Sequence, residues 1–445
     1  MADYGTRCDA ERTLQHLLRE SILSKENPCG LFIDQRVLEE NLNEIKSAFP
    51  EPYFSHHYAV KANPIKSVLK VVKDNGFGVE CASFGEIFNA LQAGMAPSDI
   101  VYDSPLKLED EMRYCFTRGI HMNFDNLEEM ETGYQLYRSL QKEGAVVKAP
   151  IGLRINSQVW FGVVADPEYR AGAIEATSTA TPTSKFGLPI KDTDFETLLR
   201  MFEKWPELNG LHSHVGSQGV DLHLMVAGVK AVVELADKIN ERLHRKQICV
   251  IDIGGGLPVD YNHDESNHMP AKYAEQLRAE VPRLFSGDFE VLTEMGRWVV
   301  ATSGWFASRI EYTKVAGGVL VGITHAGGNM FVREVYMRDV WHHPITVYDK
   351  NGNRKTTEER ICNIAGPLCF SGDLIAKEIS LPAFKKGDFI IYHHTAAYSI
   401  SMYSKYNCVP APPAYLYSVD EAQKVEVRLI KRKETVEEIS SFWDA

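Results

Sequence analysis

Tyr53-Phe-Ser-His-His-Tyr-Ala-Val-Lys-Ala-Asn-Pro64 reads as an apolar strand that ends on a lysine and is stopped by a proline. The change of period after Pro64 decides the fold. Residues 65–75 switch to helical spacing, and Gly76 stands where a helix end needs a left-handed residue. Val79-Glu-Cys-Ala82 returns to strand, and residues 85–93 form a second helix that ends at Gly94. The alternation extends outward from there. Upstream, residues 30–34 read as a strand and 37–49 as a helix. Downstream, strands are expected at 100–102, 121–124, 149–155, 210–214 and 250–253, with helical segments between most of them. Such repetition implies a parallel sheet covered by helices, and roughly eight units over about 260 residues fit an α/β chain with a (β/α)8 TIM barrel.

Beyond about residue 294 the pattern changes. Short β-type runs at 317–323, 344–348, 389–392 and 425–430 are separated by Gly, Asn and Asp turns. A C-terminal, mostly-β domain of sandwich or barrel type is expected over residues 298–445. The barrel is expected over 33–297, and an N-terminal segment over 1–32 is expected to pack on the β domain. Residues 176–184 (ATSTATPTS) are small and polar, which reads as a mobile loop, either a lid or plain surface.

Composition excludes several classes. The formal net charge is −12, and an acidic surface repels nucleic acid and anionic lipid. No stretch reaches the roughly 18 apolar residues of a membrane span, and the N-terminus lacks an apolar signal core, so a cytoplasmic protein is expected. The eight cysteines form no C-x-x-C pair and have irregular spacing, so neither a metal site nor a disulfide framework is expected.

Several stretches fall at strand ends, where barrel enzymes keep their chemistry. Lys61 ends the first strand. A partly desolvated lysine has a lowered pKa and a nucleophilic amine, although a strand-end lysine is also a common surface residue. Gly210-Leu-His-Ser-His-Val-Gly-Ser-Gln218 carries two histidines and a Gly-Ser turn. A flat imidazole can stack on a pyridine ring, and a serine with backbone amides can bind phosphate. The H-x-H spacing also admits a metal, but no acid or cysteine stands nearby to complete one. Asp252-Ile-Gly-Gly-Gly-Leu-Pro258 exposes consecutive amides as a phosphate cradle or forms a tight turn, and it lacks nucleotide-loop spacing. In Thr293-Glu-Met-Gly-Arg297, Glu294 can hydrogen-bond a protonated pyridine nitrogen and Arg297 can grip a phosphate or carboxylate; an ordinary ion pair is the alternative. Gly366-Pro-Leu-Cys-Phe-Ser-Gly-Asp373 and Thr395-Ala-Ala-Tyr-Ser-Ile-Ser-Met402 lie in the β domain.

Together these stretches resemble the fold-type III pyridoxal-5′-phosphate decarboxylases, a group that includes the diaminopimelate, ornithine and biosynthetic arginine enzymes. The likeness runs from about residue 30 to 433 and is nearest to the diaminopimelate pattern, including Ser184-Lys-Phe-Gly187. It implies pyridoxal 5′-phosphate as cofactor, no metal, and a small amino acid as substrate. By the resemblance, Lys61 would hold the cofactor and His214 would stack on its ring. Ser217, Gly254, Gly255, Gly256 and Tyr398 would hold the phosphate region, and Glu294 would pair with the ring nitrogen, with Gly296 and Arg297 beside it. Arg297, Arg333, Tyr336, Phe370 and Tyr398 would face the substrate, and Cys369 would return a proton to Cα. In the family that cysteine reaches the neighbouring subunit's site, which implies a homodimer with sites at the interface.

Departures from the pattern bear on the substrate. Met295 replaces the family's proline, and Glu80 stands where the ornithine enzymes have Asp. Met337 replaces the tyrosine four residues after Arg333, with Tyr336 one place earlier. Phe370 replaces the acid after the catalytic cysteine that receives the substrate's distal ammonium in the diaminopimelate and ornithine enzymes. Loss of that partner costs on the order of 2–5 kcal/mol. An altered distal specificity is therefore expected, and if Arg297 and Arg333 both line the pocket, an acidic or conjugated distal group is favoured. Two other readings are an inactive homologue that regulates a protein partner and an amino-acid racemase. Retention of Lys61, His214, Glu294, Cys369 and Tyr398 argues against the first, and the Gly-Pro-x-Cys stretch against the second.

Overall fold

The computed structural model describes residues 6–159, 178–218, 220–261, 268–338 and 340–444. The chain divides into two compact units. One comprises Leu42–Pro258 and His268–Trp298; the other comprises Met1–Asn41, Val259–Asn267 and Val299–Ala445.

The first unit is a closed ring of eight parallel strands: Phe54–Ala59, Gly78–Cys81, Ile100–Asp103, His121–Phe124, Ile151–Asn156, Gly210–His212, Val250–Asp252 and Glu290–Glu294. Pairing of Met122 with Ile151 and of Phe124 with Leu153 joins the fourth strand to the fifth. Pairing of Val291 with Phe54 joins the last strand to the first. Strands buried on both faces must be apolar nearly throughout, as Ile100–Asp103 is. The helices lay apolar stripes against the ring. In Lys66–Asp74 the buried positions are Val68, Leu69, Val71 and Val72, each worth on the order of 1.5–3 kcal/mol on burial. Ser83, Asn126, Asp194 and Asp221 cap the starts of four helices by accepting a backbone N–H.

Two details differ from the sequence expectation. The first strand ends at Ala59, and Lys61 lies on a short 3-10 turn, Val60–Ala62. Residues 30–34, which open the βα alternation, are not part of the ring. Cys29–Asp34 pairs antiparallel with Gly304–Ala316 and parallel with Ala414–Val419, in the other unit. The ring's eighth strand is Glu290–Glu294.

The second unit is built on a nine-stranded, largely antiparallel sheet. Its core joins Leu14 and Leu17 of the helix Ala10–Arg19 to Phe32, Trp305, Ile391 and Tyr417. Phe32 stacks on Trp305 at 4.7 Å, and the indole N–H donates to Tyr417 at 2.8 Å. The strands Glu359–Ala365 and Leu374–Pro382 were not anticipated from the sequence; they flank the loop that carries Cys369. Among the described residues no helix is long and apolar enough to cross a membrane.

Candidate active site

The carboxyl ends of the ring strands gather most of the charged groups that the motifs contain, and several more. Lys61 Nζ lies 2.5 Å from Glu80 Oε2. Glu80 is fully buried, whereas the lysine side chain is 37% exposed, so its amine remains reachable. Burial pushes the Glu80 carboxyl up, against the pull of the Lys61 ammonium.

On the far side, Gly255 N donates to His214 Nδ1 at 3.1 Å, which leaves the ring proton on Nε2. Desolvation, with Arg154 and Lys61 nearby, holds His214 down to about 3, so it is a neutral, flat ring. The 254–256 turn has no room for side chains: a Cβ on Gly255 would lie 1.9 Å from the Glu294 carbonyl oxygen, and one on Gly256 2.0 Å from that of Gly216. Gly254 N–H donates to Asp252 Oδ1 at 2.9 Å, and Glu294 N–H donates to the Gly254 carbonyl at 2.7 Å. Part of the segment expected to be a mobile loop is fastened here. Thr179 N–H donates to the Val215 carbonyl at 2.9 Å, and the Thr179 hydroxyl donates to that of His214. Ser178 forms a bridge with Gly216, next to Ser217. Residues 176 and 177 lie outside the described residues.

Behind these groups runs a line of buried charges, of which the sequence reading assigned a role to Glu294 alone. Arg154 Nη1 donates to Asp103 Oδ2 at 2.7 Å. His212 has Nδ1 3.5 Å from Asp103 Oδ1 and Nε2 3.3 Å from Glu294 Oε2. Burial alone would raise Glu294, but His212 outweighs it and holds the carboxyl down at about 2. Asp252 is pushed well up by burial and by Glu294. Their signal in sequence was position: Asp103, His212, Asp252 and Glu294 are each the last residue of a ring strand. Gly296 packs within Cβ distance of Ala59, and Arg297 is buried at the start of the next helix.

Within the β unit a second group forms. The Arg333 guanidinium lies over the rings of Trp341 (4.9 Å) and Tyr398 (4.5 Å). Tyr398 has φ +59°, a left-handed conformation unusual for a bulky residue. Glu334 pairs with His343 at 3.0 Å and anchors the helix Val332–Tyr336. Phe370 stacks on Tyr336 at 5.6 Å with planes 6° apart, and meets Tyr406 edge-on at 6.2 Å. Cys369 is exposed, and its N–H donates to Asn407 Oδ1 at 2.7 Å. Asp373 accepts from Gly328 N and Leu368 N, both at 2.6 Å, and so pins the loop.

Lys61 thus keeps a partly exposed amine beside the carboxyl ends of the ring strands, where a carbonyl compound could reach it. The chain belongs to the pyridoxal-dependent decarboxylases, whose pyridoxal-binding-domain model matches residues 35–301. It is 31% identical over 395 residues to the diaminopimelate decarboxylase of Bacteroides thetaiotaomicron, covering 86% of this chain and 94% of that one. It is likewise 31% identical over 385 residues to that of Pseudomonas aeruginosa, covering 86% and 84%. Its fold matches the crystal structure of Helicobacter pylori diaminopimelate decarboxylase complexed with L-lysine, with TM-score 0.80, 26% identity, and 96% and 99% coverage. The protein is therefore a pyridoxal-phosphate-dependent amino-acid decarboxylase.

The residues present fit that cofactor. Glu294 Oε1 and Asp252 Oδ2 are buried and meet no N–H donor among the described residues, so an acceptor stands ready for a ring N–H. His212, His214 and Glu294 hold one ligand atom each within 4.8 Å of one another, a grouping that could also suit a metal. His214 Nδ1 is already engaged by Gly255, and His212 and Glu294 face each other.

Proposed function

We propose that this decarboxylase acts on an amino acid whose distal group is acidic or conjugated rather than an ammonium, and that it does so as a homodimer in the cytoplasm. Phe370 carries the reading. It follows Cys369 where the resembling enzymes have an acid, and it lies flat on Tyr336, which makes that surface aromatic. Both oxygens of Asp373, the nearest acid in the loop, are engaged by backbone amides. A distal ammonium would find no carboxylate from this loop, and a cation–π contact returns only about 0.5–2 kcal/mol of the loss.

The roles assigned to the chain's residues follow from their chemistry. Lys61 would hold the cofactor, and Glu80, at 2.5 Å, would take or return the proton as the lysine amine is engaged or freed. His214 lends a neutral ring face. Gly254 N–H and Gly255 N–H already donate to Asp252 and His214, which leaves the Gly256 amide and Ser217 to receive the phosphate, and the close packing at Gly296 sets the approach of Arg297. Glu294 accepts the ring N–H. Arg297 and Arg333 receive substrate carboxylates, and Cys369 returns a proton to Cα. Bound pyridoxal phosphate supplies the electron sink for the pair released as CO₂ leaves. Exposure of Cys369 supports its serving the second copy's site, and eight free cysteines suit a reducing compartment.

The test is a CO₂-release screen across acidic, conjugated and basic amino acids with the cofactor present. The reading expects the highest kcat/KM among the first two groups. Equal or better turnover of meso-diaminopimelate would overturn it.

A further inference from the structure

His212 is wholly buried, and each of its ring nitrogens faces a carboxylate: Asp103 at 3.5 Å on Nδ1 and Glu294 at 3.3 Å on Nε2. A neutral imidazole carries one N–H and can serve only one of them, leaving two lone pairs opposed on the other side. Arg154 holds the second oxygen of Asp103 at 2.7 Å and so keeps that carboxylate anionic. The alternation Arg154, Asp103, His212, Glu294 is thus cation, anion, cation, anion. It runs across four separate ring strands toward the carboxylate assigned to the cofactor nitrogen.

We propose that His212 is a positioning residue for that nitrogen: a cationic imidazole, steadied by Asp103, that holds Glu294 Oε2 and presents Oε1 as an ionised acceptor. The inference rests on the assignment of Glu294 to the ring nitrogen and adds a residue behind it. Glu294 alone, buried next to Asp252, would share a proton with it, because two adjacent carboxyls in an apolar site do not both ionise. The two acids are set apart by what else they face. Asp252 accepts the Gly254 N–H and is pushed well up by burial and by Glu294, whereas Glu294 faces His212, which holds it down. Of the other titratable groups nearby, His214 and His121 are kept neutral by burial, and Lys61 is a second cation that acts on Glu294 after His212. Burial works against the charge on His212, but Asp103, Glu294 and Asp252 outweigh it and raise the imidazole well above its ordinary range.

Two measurements test this. In cofactor-free wild-type protein with ¹⁵N-labelled histidine, the His212 ring should carry protons on both nitrogens at neutral pH and above. A single proton at pH 7 would overturn the proposal. In His212→Gln, which keeps a donor but not the charge, affinity for pyridoxal phosphate should fall about 10- to 150-fold, the worth of one charge-assisted hydrogen bond. The bound cofactor's ring nitrogen should also lose its proton at lower pH, read from the absorption band, while borohydride still fixes the label on Lys61. A folded His212→Gln protein with unchanged affinity and unchanged pH profile would overturn it. Should that variant not fold, the wild-type spectrum decides alone. A label that fails to reach Lys61 in wild type would refute the cofactor reading instead.

Discussion

Phe370→Glu should turn this enzyme toward diaminopimelate. The change puts an acid at the position after Cys369, where, on the proposed reading, a distal ammonium would meet an aromatic ring stacked on Tyr336. A desolvated charge pair is worth on the order of 2–5 kcal/mol, but position 370 is only half-buried. The lower half of that range applies, and a cation–π contact with Phe370 would already recover about 0.5–1 kcal/mol. The net gain of about 1–3 kcal/mol corresponds to roughly a 5- to 150-fold rise in kcat/KM for meso-diaminopimelate. Loss of the ring stack costs about 0.5–1.5 kcal/mol of stability, a fall in Tm of a few degrees. Steady-state CO₂ release on both proteins, with thermal melts alongside, gives both numbers. No rise for diaminopimelate, or a parallel fall for every substrate, would refute the reasoning that position 370 reads the distal group.

Gly255→Ala places a methyl 1.9 Å from the Glu294 carbonyl oxygen, so the turn must shift; a loss of about 1–3 kcal/mol and a drop in bound cofactor are expected, measured by melting and by absorbance. Leu17→Ala empties a fully buried site in the β unit's core and should cost about 2–5 kcal/mol in a denaturant melt. Burial holds His57 and His121 down at about 4, below the unfolded value of about 6.5. The unfolded chain therefore binds more protons between those limits. Stability is complete above pH ~6.5 and falls as pH drops, by up to about 1.4 kcal/mol per pH unit for each histidine. His121→Asn should flatten that slope by one proton in Tm-against-pH curves; an unchanged slope would count against it.

The barrel could be read from sequence because strands buried on both faces are apolar runs, and the helices between them keep a stripe. The fate of residues 30–34 could not. Gly-Leu-Phe-Ile-Asp is as good a strand in either sheet, and only its pairing with Trp305 and Leu416 decides which. Lys61 stood out because a charge ends an apolar run. Asp103, Arg154 and His212 did not, since one charged residue in a strand says nothing about the three others, far off in sequence, that neutralise it. Residues 178–184 read as a loose loop because their composition is small and polar, yet Ser178 and Thr179 spend their donors on the backbone of residues 214–216. Phe370 was legible only as a missing acid. That it lies on Tyr336 required the fold.

The central claim is that Lys61 takes the cofactor covalently. Borohydride reduction of the protein saturated with pyridoxal phosphate, followed by proteolysis and mass spectrometry, tests it directly. A pyridoxyl group on the peptide that contains Lys61, absent from Lys61→Ala, is the predicted result. A label on any other lysine, or none at all, would contradict it.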